Sequence, residues 1–224
     1  MTIEILYQDE YFIAINKPHG LLMHPSSIAR DVEETLQSVL ETQLDRKVYL
    51  VHRLDRKTAG LVLVALDSNT ARLLSELFAN KTIEKTYWAI CRGHLLENTI
   101  VNKALENENG NLQTAETAFS PLKYAALETS TGKYPTTRLS LIECRPKTGR
   151  THQIRRHLGN LRHYIVNDRP HGDCKVNKAF KEKLGYNHMM LHAKKIEFIN
   201  PITKKPMLIE APFFEEFNRL LKVF

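Results

Sequence analysis

Residues 51–66 read VHRLDRKTAGLVLVAL, a charged loop that leads directly into an apolar run. The run LVLVAL at 61–66 does not alternate with polar residues, which predicts a strand covered on both faces. Asp55 lies between Arg53 and Arg56, so its carboxylate is either neutralised by its neighbours or held charged for chemistry. A neighbouring arginine favours the ionised form of an aspartate and lowers its pKa. Because a rigid strand anchors the loop, this carboxylate suits nucleophilic or electrostatic work.

The rest of the chain predicts several strands and fewer helices. Apolar runs and turn residues predict strands within 3–16, around a turn at residues 8–10, and at 85–93, 137–146 and 190–201. Helical spacing predicts three helices. The first spans about 32–43 with a capping box of Asp31 and Glu34, the second follows a cap at Ser68, and the third runs from a cap at Thr151 to near Gly159. No βαβ cadence appears, so we expect one α+β domain over residues 1–224 with a mixed, largely antiparallel sheet.

The composition indicates an ordinary globular protein. The 224 residues are 42% hydrophobic, and no apolar stretch approaches the roughly 20 residues that span a bilayer. The N-terminus MTIEILYQDE is acidic and unlike an export signal. Three widely spaced cysteines without a C-x-x-C pair argue against a disulfide framework and a zinc site. We therefore expect a cytoplasmic protein with no membrane partner and no metal.

Positive charge is concentrated in one segment. The chain carries a net charge of +7, and residues 145–183 contain eleven Lys and Arg against three acids, an excess of 11 − 3 = +8. Such clustering predicts a polyanionic partner, nucleic acid first and an anionic membrane second.

The same segment contains KTGRTHQIRRH at 147–157. A glycine turn followed by a helix start offers unpaired backbone N–H groups that attract phosphate. Arg150, Arg155 and Arg156 add to that attraction, so binding to a nucleic-acid backbone is favoured over a merely solvated helix. The chain contains neither a nucleotide-binding glycine motif nor a G-x-S-x-G motif, which gives ATPase, dehydrogenase and esterase functions no support.

Five segments, taken in order, resemble the successive motifs of the RluA-type pseudouridine synthases. They are NKPHGLLMH (16–24), VHRLDRKTAG (51–60), KTYWAI (85–90), TGRTHQIRRH (148–157) and LHAKKIEFINP (191–201). The resemblance implies the pseudouridine synthase fold, an isomerase that acts on RNA, and no cofactor. It departs from the family at Ala59, where Ser is usual, and at Tyr164 and Asn167, where Pro and Gly are common.

The resemblance also assigns roles to individual residues. Asp55 matches the catalytic aspartate, Arg53 the arginine that replaces the displaced base, Tyr87 the active-site tyrosine and Arg155 the arginine that pairs with the aspartate. Arg56 receives no role. Further residues of the same two motifs are expected to contact RNA, namely His52, Arg150, Thr151, His152, Gln153 and Arg156.

The run HGDCKVNKAF and a short N-terminus without an S4 domain look most like the subgroup that modifies tRNA uridine 65. We therefore expect a monomeric enzyme that isomerises a uridine of structured RNA by base flipping and an aspartate-dependent rearrangement. Two alternatives stay open: a ribosomal RNA target, and a non-catalytic RNA-binding module on the same fold.

Overall fold

A computed structural model describes residues 1–24, 34–131 and 134–224. The chain divides into two compact units that are each made of two segments. Unit 1 comprises Met1–Lys85 and Ala193–Pro212, and unit 2 comprises Thr86–His192 and Phe213–Phe224. The mixed architecture with a largely antiparallel sheet confirms the predicted α+β class.

Unit 1 has the strand order β1-β2-β4-β11, with β12 paired to β11 and β3 paired to β4. Its strands are β1 (Glu4–Gln8), β2 (Phe12–Lys17), β3 (Tyr49–Leu50), β4 (Ala59–Ala65), most of β11 (Leu191–Ile199) and β12 (Pro206–Glu210). Its helices are α1 (Leu36–Leu44) and α2 (Ser68–Ala79). Asp9 makes the turn between β1 and β2, because its Oδ1 accepts hydrogen bonds from the backbone N–H groups of Tyr11 and Phe12.

Strand β4 forms the centre of unit 1 and confirms the prediction for the apolar run. All seven of its residues are buried. Gly60, the second residue of the strand, has φ +109°, and a β-carbon added to it would collide with the backbone of Ala193. Ala59 is buried beside it. Glycine is therefore required at the junction between the charged loop and the strand.

The predicted helix starts need correction. Helix α1 begins at Leu36, where Thr35 and Ser38 form the capping box, rather than near residue 32. Asp31 lies outside the described residues, and Glu34 precedes the helix. In α2 the cap is Asp67, which accepts a hydrogen bond from the backbone N–H of Thr70, so the prediction of Ser68 as the cap was wrong. In both cases the predicted cap is a residue type that commonly caps helices, and it lies close in sequence to the observed cap.

Unit 2 has the strand order β5-β10-β9-β6 and a separate hairpin of β7 and β8. Its strands are β5 (Glu84–Arg92, from Thr86 on), β6 (Thr99–Asn102), β7 (Leu105–Glu106), β8 (Leu112–Gln113), β9 (Glu116–Leu127) and β10 (Thr137–Pro146). Its helices are α3 (Gln153–Asn160), α4 (Cys174–Leu184) and α5 (Glu215–Leu221). The bounds of β5, β10 and β11 confirm three predicted strands, whereas β9, α4 and α5 were not predicted.

Helix α3 has no side-chain cap, contrary to the prediction for Thr151. His152 occupies the cap position with the left-handed backbone angles φ 56° and ψ 26°, and the helix starts at Gln153. The helix buries Ile154 and Leu158 as predicted, and it also buries Arg155. Buried polar residues on this face mark it as more than a packing surface.

No helix in the described part of the chain is long and apolar enough to cross a membrane. Two of the three boundaries between the units fall inside β5 and β11, and the third lies between Pro212 and Phe213, outside any helix or strand. The single catalytic domain stays a prediction.

Candidate active site

The loop that carries Asp55 is a tight turn in unit 1. The carbonyl of Asp55 accepts a hydrogen bond from the backbone N–H of Thr58 at 3.0 Å. Leu54 and Thr58 are buried on either side, with exposures of 5% and 2%. Asp55 itself is half-buried, and Arg53 is exposed. The chain thus fixes the aspartate on a short turn and leaves the neighbouring arginine at the surface.

His52 holds this loop against β4. Strand β3 ends at Leu50, and beyond it the His52 side chain replaces a backbone partner of β4. The backbone N–H of Leu63 donates to His52 Nε2 at 2.9 Å. The ring stacks on Phe78 with a centroid distance of 4.3 Å. Burial, with a contribution from the charge of Lys85, lowers the pKa of His52 to about 3. The imidazole is therefore neutral with its proton on Nδ1, and its geometry suits positioning of the loop.

Lys17 and Arg56 join the NKPHG segment to the turn of Asp55. Lys17 has no exposed surface, and its Nζ donates to the carbonyls of Pro18 at 2.9 Å and Arg56 at 3.1 Å. The carbonyl of Arg56 also accepts from the N–H of Gly20 at 2.9 Å, while Arg56 Nε donates back to the Gly20 carbonyl at 2.9 Å. Sequence reasoning missed this clamp, although a lysine before a Pro/Gly turn was its signal.

The clamp also brings a titratable cation near the catalytic candidate. Burial lowers the pKa of Lys17 to about 7, while the negative charge of Asp55 acts in the opposite direction and Arg56 lowers the pKa further. A lysine with this pKa changes its charge near neutral pH. The electrostatic environment of Asp55 in unit 1 therefore depends on Lys17.

Tyr87 lies in unit 2 on the rigid strand β5. It is paired in register with Cys144 of β10, and its half-buried ring packs against the buried core of the unit. A residue on a central strand is held more precisely than one on a loop.

A buried glutamine fixes the start of α3. Gln153 Oε1 accepts from Thr148 Oγ1 at 2.7 Å and from the Arg150 N–H at 3.0 Å. Gln153 Nε2 donates to the Glu116 carbonyl and to Thr117 Oγ1, each at 2.9 Å. The amide of Gln153 thus joins the TGR turn, β9 and α3, and we infer a positioning role for it.

Arg155 forms a buried bidentate pair with Asp168 in unit 2. Its Nε donates to Asp168 Oδ2 and its Nη2 to Asp168 Oδ1, both at 2.8 Å. The side chains are only 4% and 1% exposed. Sequence reasoning missed Asp168, although it is the last residue of the run RHYIVND that was compared with the family pattern. The pairing of Arg155 with Asp55 stays a prediction.

Two further arginines predicted to contact RNA brace the β7–β8 hairpin. Arg150 Nε donates to the Thr114 carbonyl at 3.1 Å, and Arg156 Nη1 donates to the Glu106 carbonyl at 2.8 Å. Neutral carbonyl partners leave the charge of both guanidinium groups in place, so they still attract phosphate. Thr151 between them is exposed.

His152 contacts a second histidine that the sequence gave no reason to pair with it. His152 Nδ1 and His171 Nε2 are 3.0 Å apart, so one ring donates and the other accepts. Burial and then the charge of Arg155 lower the pKa of His171. Burial thus favours the neutral form of the His171 ring beside the start of α3.

Among residues 1–24, 34–131 and 134–224, no group of three or more His, Cys, Asp or Glu residues is arranged to hold a metal ion. The candidate residues of unit 1 include the carboxylate of Asp55, and those of unit 2 include Tyr87 and several arginines. A carboxylate can act as a nucleophile, and the arginines attract an anionic substrate.

Comparison with known proteins agrees with these features. Residues 11–160 match the model of the RNA pseudouridylate synthase family. The chain is 40% identical over its whole length to tRNA pseudouridine synthase C of Vibrio parahaemolyticus, covering 96% of that protein. It is 41% identical to tRNA pseudouridine synthase C of Vibrio cholerae, over 99% of this chain and 96% of that protein.

The fold is similar to that of human RNA pseudouridylate synthase domain containing 4. The TM-score is 0.74 at 24% identity, and the match covers 98% of this chain and 92% of the human chain. This likeness concerns the fold. The family match and the whole-length relatives confirm the resemblance seen in the five sequence motifs, and the chain belongs to the RNA pseudouridylate synthase family.

Proposed function

We propose that this protein is a pseudouridine synthase that isomerises a uridine of tRNA, uridine 65 in particular, in the cytoplasm. Family membership and whole-length similarity to proteins named tRNA pseudouridine synthase C support the proposal. The observation that carries it is Asp55 on a turn fixed by His52, Lys17 and Arg56. A carboxylate on so constrained a turn suits a reacting group better than a surface charge.

The reaction needs a residue that extrudes the base and one that acts on the sugar. Removing uracil from the stack costs a few kcal/mol and leaves a gap that a long planar side chain can fill. The exposed Arg53 meets that requirement, and Tyr87 offers a ring on which the extruded base can stack.

Asp55 then attacks the ribose or assists elimination at it. The bond between the sugar C1′ and the base N1 breaks, the uracil rotates, and a bond from C1′ to the base C5 forms. C5 loses its proton to solvent and N1 gains one, so atoms balance without a cofactor. One carboxylate suffices for this isomerisation, whereas glycoside hydrolysis normally uses two. Arg155 is proposed to keep Asp55 charged and oriented.

Tritium release from C5-tritiated uridine in an unmodified tRNA transcript tests the proposal. We expect release by the wild type, and a loss of more than about a thousandfold in Asp55→Asn, because the carboxylate that attacks the sugar or assists elimination is removed. Asp45→Asn is the matched control, because Asp45 is an exposed helix C-cap and asparagine tolerates the same left-handed backbone conformation.

The outcomes separate the alternatives. Tritium release from ribosomal RNA fragments but not from tRNA would reject tRNA as the substrate and indicate the ribosomal RNA target. Full RNA affinity with no release by the wild type would instead indicate the non-catalytic RNA-binding module.

A further inference from the structure

A cavity of about 290 Å³, lined by residues with polar or charged side chains, lies beside helix α4 in unit 2. One helix face lines it with Asn177, Lys178, Lys181 and Glu182, at the helical spacing i, i+1, i+4 and i+5. Its volume is near the lower end of small-molecule sites, roughly 300 Å³, which suits a ligand no larger than one nucleotide unit. Asp55, Tyr87 and Arg155 do not line it, so the cavity has no part in the chemistry described above.

The inner wall of the cavity is preformed by a network of amides. Asn167 has φ +62°, and its Nδ2 donates to the carbonyls of Tyr186 at 3.0 Å and His188 at 3.1 Å. Its backbone N–H donates to Asn177 Oδ1 at 2.8 Å, and Asn177 Nδ2 donates to the Asp168 carbonyl at 2.7 Å. Asparagine tolerates this left-handed conformation, which explains how it replaces the glycine common in the family.

Three cations surround the opening of the cavity. Arg169, Lys178 and Lys181 are exposed and line it together with one acid, Glu182. Across the described ranges, none of the three cationic side chains forms an ion pair or a hydrogen bond, unlike the Arg155 pair with Asp168. Three cations against one acid therefore favour an anionic ligand at this opening over a neutral one.

The residues that line the cavity favour the ribose and phosphate of a nucleotide over its base. Tyr186 is only 7% exposed, and Arg219 covers its ring with a distance of 4.3 Å to the centroid. A base therefore finds no open aromatic face for stacking. Amide groups and cations instead suit the hydroxyls of a ribose and the oxygens of a phosphate.

We propose that this cavity binds one ribose-phosphate unit of the RNA substrate, at a nucleotide other than the isomerised uridine. The choice of RNA as the partner rests on the proposed function. The three cations contact the phosphate, and the amide wall faces the ribose.

The double variant Lys178→Gln/Lys181→Gln tests the site, with Lys205→Gln/Lys222→Gln as a control that removes the same charge from exposed positions elsewhere. Binding of a fluorescent tRNA transcript is measured by anisotropy at salt concentrations of about 50 to 200 mM. We expect the cavity variant to bind roughly tenfold more weakly and its slope of log K against log salt to be less steep by about 2, since each lost phosphate contact removes about 1. The control should keep the wild-type slope.

Phosphate ethylation interference gives a second readout. At least one phosphate whose ethylation inhibits binding by the wild type should no longer inhibit binding by the cavity variant. An identical interference pattern, or equal slopes in the cavity and control variants, would overturn the proposal. If the cavity variant lost binding to poly-glutamate but not to tRNA, the cavity would be assigned to an acidic protein partner, and the proposal would be overturned as well.

The two experiments distinguish a failure of the cavity proposal from a failure of the proposed function. Tritium release with unchanged slopes rejects the cavity alone. A reduced slope without tritium release supports the cavity as an RNA site and rejects the isomerase.

Discussion

Lys17 is fully buried, and its ammonium group faces two backbone carbonyls near Asp55. Its pKa of about 7 in the folded protein is below the ordinary value of 10.5. Between these two values the unfolded chain binds more protons than the folded protein, so stability rises with pH. The stabilisation is complete above about pH 10.5 and is lost as pH falls through about 7.

Substitution Lys17→Met should remove this pH dependence. We expect the free energy of unfolding of the wild type to rise relative to that of the variant between about pH 7 and pH 10. Urea unfolding at several pH values measures the difference. Lys205→Met is the control, because Lys205 is an exposed lysine of the same unit. A constant difference between wild type and Lys17→Met over this range would contradict the argument.

The β9–α3 connection depends on the single amide of Gln153, which makes four hydrogen bonds while buried. Substitution Gln153→Glu keeps the acceptor oxygens but places a carboxylate against the Glu116 carbonyl. We expect unfolding free energy to fall by about 1–3 kcal/mol at pH 8, and part of the loss to return near pH 4, where a protonated glutamate donates again. Chemical unfolding measures both. The exposed Gln8→Glu is the control, and equal effects in the two variants would remove the special role of Gln153.

Elements with long apolar patterns could be predicted from the sequence, and those defined by tertiary context could not. Strand β10 was predicted at its observed bounds, because its alternation is local. Helix α4 was missed since its sequence CKVNKAFKEKL buries only three residues, Val176, Ala179 and Phe180, against the core. Its charged face looked like any solvated segment.

The same distinction applies to the candidate site. The strand of Tyr87 was predicted from its own sequence pattern, whereas the roles proposed for Asp55 and Tyr87 came through resemblance. The buried partner of Arg155 was not, because a carboxylate becomes an ion-pair partner through burial and geometry that spacing does not encode. The positioning functions of His52 and Arg56 likewise depend on the backbone atoms of Leu63 and Gly20, which have no sequence signature.

At the scale of the whole molecule, the boundaries between the two units bear on cooperativity. Independent domains usually meet in exposed linkers, whereas two of the three boundaries here lie within β5 and β11. A local opening of either unit would therefore have to break a strand. We expect the two units to unfold in one cooperative transition, as the single-domain prediction requires.

Thiol labelling at increasing guanidinium concentrations tests this expectation. Cys91 and Cys144 are fully buried in unit 2, and burial raises the pKa of both thiols, so they should react only on unfolding. The exposed Cys174 should react in the native protein and serves as the internal reference. The variant Val62→Cys adds a buried thiol to β4 of unit 1 without adding volume. We expect its labelling midpoint, followed by mass spectrometry, to coincide with that of Cys91. Labelling of the unit 1 thiol at a clearly lower concentration would show that the units open separately, provided that the variant keeps the wild-type Trp88 fluorescence transition.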